Sequence, residues 1–391
     1  MTALRIALLA HSTNPRGGVA HCLALAEALC ALGHEAVVHA PDPSGCGFFR
    51  DAACPTVSVA ARTVAGGTVD LVRTRINDYL VHFGSPAACD FDVFHAHDGI
   101  GGNALATLKH RHMIPGFVRT VHHLDTFAEP QLADWQDRSI QEARRLLCVS
   151  HNWTDRVRSD FGVTAEVVGN GVDMTAYGPT PDLRDAVVRE RWGLGDGPIV
   201  LSVGGFEERK NTLGIIEAFA RLRQRCHKAQ LMIAGGVSLL DHASYRARCH
   251  AALAVHGLAA GSSGPVIETG PVPQSDMPAL YRIADMLAFP SLKEGFGLCV
   301  LEAMACGTPA IVSHRPPFTE YLIEGEALFV EPAAPDDIAR GMATALGPET
   351  RERLRIAGFA RAAAHSWRAC AERHLDAYAG CARMQQEPTH A

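Results

Sequence analysis

Ser291–Pro309 reads SLKEGFGLCVLEAMACGTP, and the rest of the chain is organised around it. A polar, glycine-bearing turn runs from Lys293 to Gly297. A short apolar helix is expected from about Leu298 to Cys306. Gly307 stands where a helix terminus takes a left-handed backbone, and Pro309 prevents continuation. Ala310–Ser313 then reads as a buried strand, and Met286–Phe289 as the strand before. The unit is strand, loop, helix, strand.

Glu294 and Glu302 punctuate this unit. Between them lies a helix N-terminus, whose free amides and positive dipole end suit a phosphate. Two acids beside an anion seat make poor phosphate ligands but good hydroxyl ligands. The geometry fits a nucleotide sugar: sugar hydroxyls at Glu294, diphosphate at the helix start, ribose hydroxyls at Glu302. The plainer alternative is a solvated loop acid followed by a helix-surface acid.

Outward from this stretch, apolar runs alternate with helical patterns. Strands are expected at Ile6–Ala10, Ala36–His39, Asp92–His95, Phe117–Val121 and Leu146–Val149, with a helix over Gly18–Leu32 closed by Gly33. From Gly169–Asp173 to Gly197 the pattern breaks into Pro, Gly and Asp. It restarts with strands at Ile199–Val203, Gln230–Ala234 and Val266–Thr269. Helices are expected at Asn211–Arg225, around Ser244–His256 and at Ser275–Ile283. Such alternation implies parallel pairing with right-handed crossovers. The expected fold is α/β: two doubly wound, Rossmann-like domains facing a cleft, with ligands at the carboxyl ends of the strands. The expected domains are 1–175 and 176–365, with a helix and tail at 366–391. A chain of 391 residues is long enough for two cores.

A net charge of −6 argues against non-specific nucleic-acid binding. There is no run of 18 apolar residues, so no transmembrane segment is expected. The N-terminus enters a strand directly, with no leader pattern. The 12 cysteines form no CxxC pair, which fits free thiols in a reducing cytoplasm. The expected location is cytoplasmic.

Three further constellations sit at expected strand ends. Pro15-Arg16-Gly17-Gly18-Val19 opens the first helix, where glycines let the backbone approach an anion. It is not GxGxxG, so dinucleotide binding is disfavoured. Gly204-Gly205-Phe206-Glu207-Glu208-Arg209-Lys210-Asn211 follows the first strand of the second half, and its basic pair can neutralise a diphosphate. Among the histidines, His95 and His97 flank one strand end, while His122 and His123 follow another. Without a matched acid pair these are a weak metal set. One or two are expected to line the cleft, the others to cap strand ends.

Together these residues resemble the retaining glycosyltransferases of the GT-B fold, specifically family 4 (glycosyl transferases group 1). The most specific part is Glu294-Gly295-Phe296-Gly297 with Glu302, an E-x7-E spacing. Gly17–Gly18, Thr120–His122, Val149–Ser150, Asn170–Asp173 and the EAMACGTP tail support it. The resemblance implies that Glu294 holds donor-sugar hydroxyls and that the backbone of Gly295–Leu298 meets the diphosphate. It implies Glu302 on the ribose, Lys210 on phosphate, and Gly17 and Gly18 near the donor. His122 would hydrogen-bond the sugar near its anomeric centre. Catalysis is thereby expected from His122, Arg209, Lys210 and Glu294. The helix from Ser366 to Tyr378 would return to the first domain.

Two departures stand out. The family's arginine after the strand's Val-Gly is here Gly205, leaving Arg209 to supply the second positive charge. The usually glycine-rich loop after Ser313 is His314-Arg315-Pro316-Pro317. By resemblance the reaction is hexosyl transfer with retention, with no metal and no cofactor, the cations receiving the leaving diphosphate. Two other readings stay open: a non-catalytic sugar-nucleotide-binding protein, or another GT-B enzyme such as an epimerase. A phosphorylase would need a pyridoxal lysine context that is missing. The expected partners are a nucleotide sugar and an unidentified acceptor. Base, sugar, acceptor, oligomeric state and peripheral membrane contact are not legible, and Asp51–Ala88 offers no motif.

Overall fold

The computed structural model describes residues 2–235, 242–261 and 263–383. The chain divides into two compact units. One comprises Met1–Asn170 with the chain from Trp367 onward; the other is Gly171–Ser366.

The first unit is built on a parallel sheet of seven strands. In chain order they are β1 (Arg5–Leu9), β2 (Glu35–Asp42), β3 (Thr56–Ala60), β4 (Val93–Ala96), β5 (Val118–Val121), β6 (Arg145–Cys148) and β7 (Glu166–Val167). Their spatial order is β3-β2-β1-β4-β5-β6-β7. The order reverses at β1, which pairs with β2 on one side and β4 on the other, Leu8 standing between Val38 and His95.

Strand alternation explains the layering. Ile6 and Leu8 enter one apolar cluster, with Val19, Leu23 and Leu25 of the helix Gly17–Ala31. Ala7 and Leu9 enter another, with Ile76 and Tyr79 of the helix Thr68–His82 and Leu105 of the helix Gly99–His110. A period of two places successive side chains on opposite faces, so both faces of this sheet are covered. Each fully buried leucine contributes about 1.5–3 kcal/mol.

The helix Trp367–Arg383 belongs to this unit. Its Ala371, Leu375 and Tyr378 pack into the same cluster as Val19 and Leu23. The unreadable Asp51–Ala88 segment supplies β3 and the helix Thr68–His82. Its Tyr79 is fully buried, the hydroxyl 2.6 Å from the Ala10 carbonyl oxygen and 2.8 Å from that of His39.

The second unit has a parallel sheet of six strands. These are β8 (Ile199–Val203), β9 (Gln230–Ala234), β10 (Val266–Gly270), β11 (Met286–Phe289), β12 (Ala310–Ser313) and β13 (Leu328–Val330), in the order β10-β9-β8-β11-β12-β13. The reversal falls at β8, between β9 and β11. Gly171 opens this unit, so the boundary lies ahead of residue 175. Val172 donates to the His365 carbonyl at 2.9 Å and bridges to Ser366, which ties residues 171–175 to the second unit. No helix among the described residues is long and apolar enough to cross a membrane.

Candidate functional site

In the second unit the expected residues gather where β8 and β11 end. β8 stops at Val203, and the chain turns sharply at Gly204 (φ +130°) and Gly205 (φ +65°). Both amides bond the Ala234 carbonyl oxygen, at 2.7 and 3.0 Å. Side chains rarely adopt either φ, which accounts for glycine at both positions.

Two hydrogen bonds then fasten this loop to the one after β11, and a third fastens it to the segment after β13. Asn211, itself at φ +60°, donates through Nδ2 to the Pro290 carbonyl at 3.1 Å and the Pro332 carbonyl at 2.7 Å. The Leu292 amide donates to the Arg209 carbonyl at 2.8 Å. Lys210 and Glu294 are 84 residues apart, yet this fastening brings them together. The Lys210 ammonium donates to Oε2 of Glu294, and its nitrogen sits 4.2 Å from the centroid of the Phe289 ring. Arg209 Nη1 lies 3.3 Å from both Glu294 oxygens, and its Nη2 lies 2.9 Å from Oε2 of Glu207. Burial pushes the Glu294 carboxyl up, but Lys210 and Arg209 outweigh it and hold the group at about 2. Glu294 is an acceptor only, ionised at every ordinary pH. The cations are shared with Glu294 and Glu207, so two positive and two negative charges balance before any anion arrives.

The helix Leu298–Ala305 starts from Gly297 at φ +92°. A Cβ there would stand 2.7 Å from Cε1 of Phe318, so both conformation and space require glycine. Gly295 lies just before, its amide 3.0 Å from Oε1 of Glu294. The Phe296 ring stacks on Tyr321, centroids 4.5 Å apart and planes 5° from parallel. That side chain packs the loop, while its backbone remains beside the helix start. Leu298 is the first residue of the helix. One turn on, Oε2 of Glu302 accepts from the Tyr281 hydroxyl at 2.7 Å. Burial raises the Glu302 carboxyl, and hydrogen bonds from Tyr281 and Tyr177 oppose the rise.

In the first unit, Gly17 and Gly18 are the first residues of their helix, so their amides have no partner within it. A Cβ on Gly18 would stand 3.5 Å from Cδ2 of His122, and one on Gly17 would meet nothing within 4 Å. His122 follows the end of β5 directly. Its Nε2 lies 3.2 Å from Nδ1 of His97, which follows β4. His95 is different: its ring nitrogens are bonded to Tyr378 Oη at 2.7 Å and Thr120 Oγ1 at 2.8 Å, a structural role inside the sheet. His123 is exposed and pairs with Asp125 at 3.2 Å. Burial first, then neighbouring His21, drives the His122 imidazole well below its ordinary value, so it is neutral.

Two partners escape the sequence reading. Tyr281 orients Glu302 from 21 residues away, and nothing local marks it. His21, from the first helix, packs edge-on to His122 at 4.7 Å between ring centroids. Its signal is spacing: it follows Gly18 by three residues and so shares that helix face.

This pairing of parallel sheets, each with chemistry at its strand ends, is the two-domain GT-B architecture of glycosyltransferases. Sucrose-phosphate synthase from Thermosynechococcus elongatus superposes with a TM-score of 0.77 at 20% identity, over 97% of this chain and 99% of that one. Anabaena HepE in complex with UDP and glucose gives 0.76 at 17% identity, over 96% and 99%. Residues 186–361 match the family described as Glycosyl transferases group 1, and residues 15–176 match Glycosyltransferase Family 4. Each half of the chain is thus similar to a glycosyltransferase family. Among relatives in sequence, the D-inositol 3-phosphate glycosyltransferase of Salinispora arenicola is 32% identical over 254 residues, 59% of this chain. The match spans about half of that relative's length, 55%.

Proposed function

We propose that the protein transfers a glycosyl unit from a nucleoside-diphosphate sugar to an acceptor, with retention and without a metal ion in the chemical step. The observation that carries this reading is the Lys210–Glu294–Arg209 cluster, set at the ends of β8 and β11 beside the start of the helix Leu298–Ala305. Glu294, held ionised, accepts hydrogen bonds from sugar hydroxyls. It has no proton to give, so it is not the general acid, and its cation partners suit it to positioning rather than attack. A diphosphate arriving at the helix start adds negative charge to a balanced cluster. Lys210 has three ammonium hydrogens and Arg209 five guanidinium N–H groups, so each can serve an acid and a phosphate oxygen together. As the glycosidic bond breaks, charge grows on the leaving diphosphate, where these cations and helix amides stabilise it.

Glu302, fixed by Tyr281, takes the ribose hydroxyls. Gly17 and Gly18 give a bare helix start to the donor's phosphate or sugar. Neutral His122 hydrogen-bonds the sugar near its reacting carbon. A structural relative bound to UDP and glucose supports a nucleotide-sugar donor. Hexosyl transfer and a cytoplasmic site of action complete the reading. The test is a thermal-shift and donor-hydrolysis panel of uridine, guanosine and adenosine diphosphate sugars. A raised melting temperature with slow hydrolysis of one donor supports transfer. Measurable binding with no hydrolysis or transfer across the panel favours a protein that only binds sugar nucleotides.

A further inference from the structure

Three imidazoles of the first unit converge, and the hydrogen bond between His97 Nδ1 and His122 Nε2 accounts for only one of the three approaches. One ring nitrogen from each of His21, His97 and His122 lies within 4.8 Å of the other two. His21 is 0% exposed and His97 4%. Buried ring nitrogens are normally bonded, as both are in neighbouring His95. Yet Nε2 of His21 is buried with no partner.

The tautomer of His21 follows from its other side. Nδ1 is hydrogen-bonded to Oδ1 of Asn170, an oxygen that only accepts. Nδ1 therefore carries the hydrogen, and Nε2 keeps a lone pair. Metal-bound histidines have this arrangement, the second nitrogen donating to an orienting oxygen. His97 Nδ1 and His122 Nε2 are 3.2 Å apart. Two imidazoles on one tetrahedral zinc, with Zn–N about 2.0–2.1 Å, stand ~3.3 Å apart. Arg119 repels a cation near His122, and Asp98 offsets Arg119. A set made only of imidazoles selects zinc, cobalt, nickel or copper over magnesium or calcium, which require oxygen ligands.

We propose that His21, His97 and His122 form a site for one late first-row divalent ion, zinc foremost, and that filling it withdraws His122 from the sugar donor. The ion is then an inhibitor of a reaction that needs no metal. The inhibition clause rests on the role proposed above for His122; the binding clause does not.

Chelator-stripped full-length protein is titrated with Zn2+ against a competing chelator, and separately with Co2+ read by visible absorption. The expected result is one ion per chain, with the strong bands of four-coordinate cobalt. His97→Gln and His21→Gln should each weaken affinity at least tenfold. Asn170→Ala, which removes only the orienting oxygen, should weaken it ten- to hundredfold. Circular dichroism and unfolding midpoints without metal establish that each variant folds. Should His21→Gln fail to fold, His97→Gln and Asn170→Ala carry the test. No binding at micromolar Zn2+, or binding that the folded variants leave unchanged, overturns the site. Stoichiometric binding without loss of transfer leaves the site standing, overturns the inhibition clause and removes His122 from its donor-facing role.

Discussion

The Tyr281 hydroxyl donates to Oε2 of Glu302 across 2.7 Å, linking a residue with no sequence signal to one half of the E-x7-E spacing. A hydrogen bond to a charged group contributes about 1.5–3 kcal/mol. Tyr281→Phe keeps the ring and loses that bond. Nucleotide affinity is expected to fall about tenfold or more, with turnover of saturated enzyme little changed, as calorimetry and steady-state kinetics would show. Unchanged affinity would remove Glu302 from the nucleotide's side of the site.

Burial raises the Glu302 carboxyl, which works against folding. A carboxyl with a raised folded pKa favours folding while protonated, and that contribution is lost as pH rises through the folded value. Wherever the group is ionised in the folded protein it is therefore a liability retained for function. Glu302→Gln should raise the melting temperature at pH 7 while weakening nucleotide binding. A variant both less stable and equally tight-binding would refute this trade.

Glu294 has the opposite sign. Its carboxyl is lowered to about 2, from an ordinary value of 4.5. The stabilisation is present above about 4.5 and is lost as pH falls towards 2; a shift of this size corresponds to roughly 3 kcal/mol. Glu294→Gln should flatten the acid limb of a urea-midpoint-against-pH profile. It should also abolish transfer, since the amide leaves Lys210 without its anion. Lys210→Ala should lower turnover more than affinity. An acid limb identical to the parent's would show that the ion cluster contributes nothing to folding.

Gly205 stands where the resemblance implies an arginine, and its φ is +65°. Restoring the side chain forces a left-handed backbone on a non-glycine residue, at about 1–2 kcal/mol. Gly205→Arg is expected to lower the urea midpoint and to gain no activity. A stable, faster variant would mean that Arg209 does not fill the role assigned to it.

Gly17 and Gly18 lie in a helical first turn with room for a methyl group. Alanine there should not destabilise the fold and can add up to about 1 kcal/mol from helix propensity. The double alanine variant should keep or raise its melting temperature while kcat/KM for the donor falls. Equal kcat/KM would mean that the glycines serve only the turn.

Much of this was legible in the sequence because it is local. The Gly307 terminus, the β11–loop–helix–β12 unit and the parallel alternation follow from short-range pattern. β3 and the helix Thr68–His82 were missed because Asp51–Ala88 carries no motif. That helix is held by Tyr79, buried against the carbonyls of Ala10 and His39 from distant strands. His95 looked like its neighbours His97 and His122 until Tyr378 and Thr120 occupied both its nitrogens.

Sequence alone determined which residues could carry charge, bend or helix, since propensity, glycine dihedrals and side-chain chemistry belong to each residue and its near neighbours. Tertiary structure decided who meets whom. Parallel strands place residues far apart in the chain side by side at one sheet end, so the Lys210–Glu294 pair, the Tyr281–Glu302 bond and the meeting of His21, His97 and His122 exist only once the crossovers have closed.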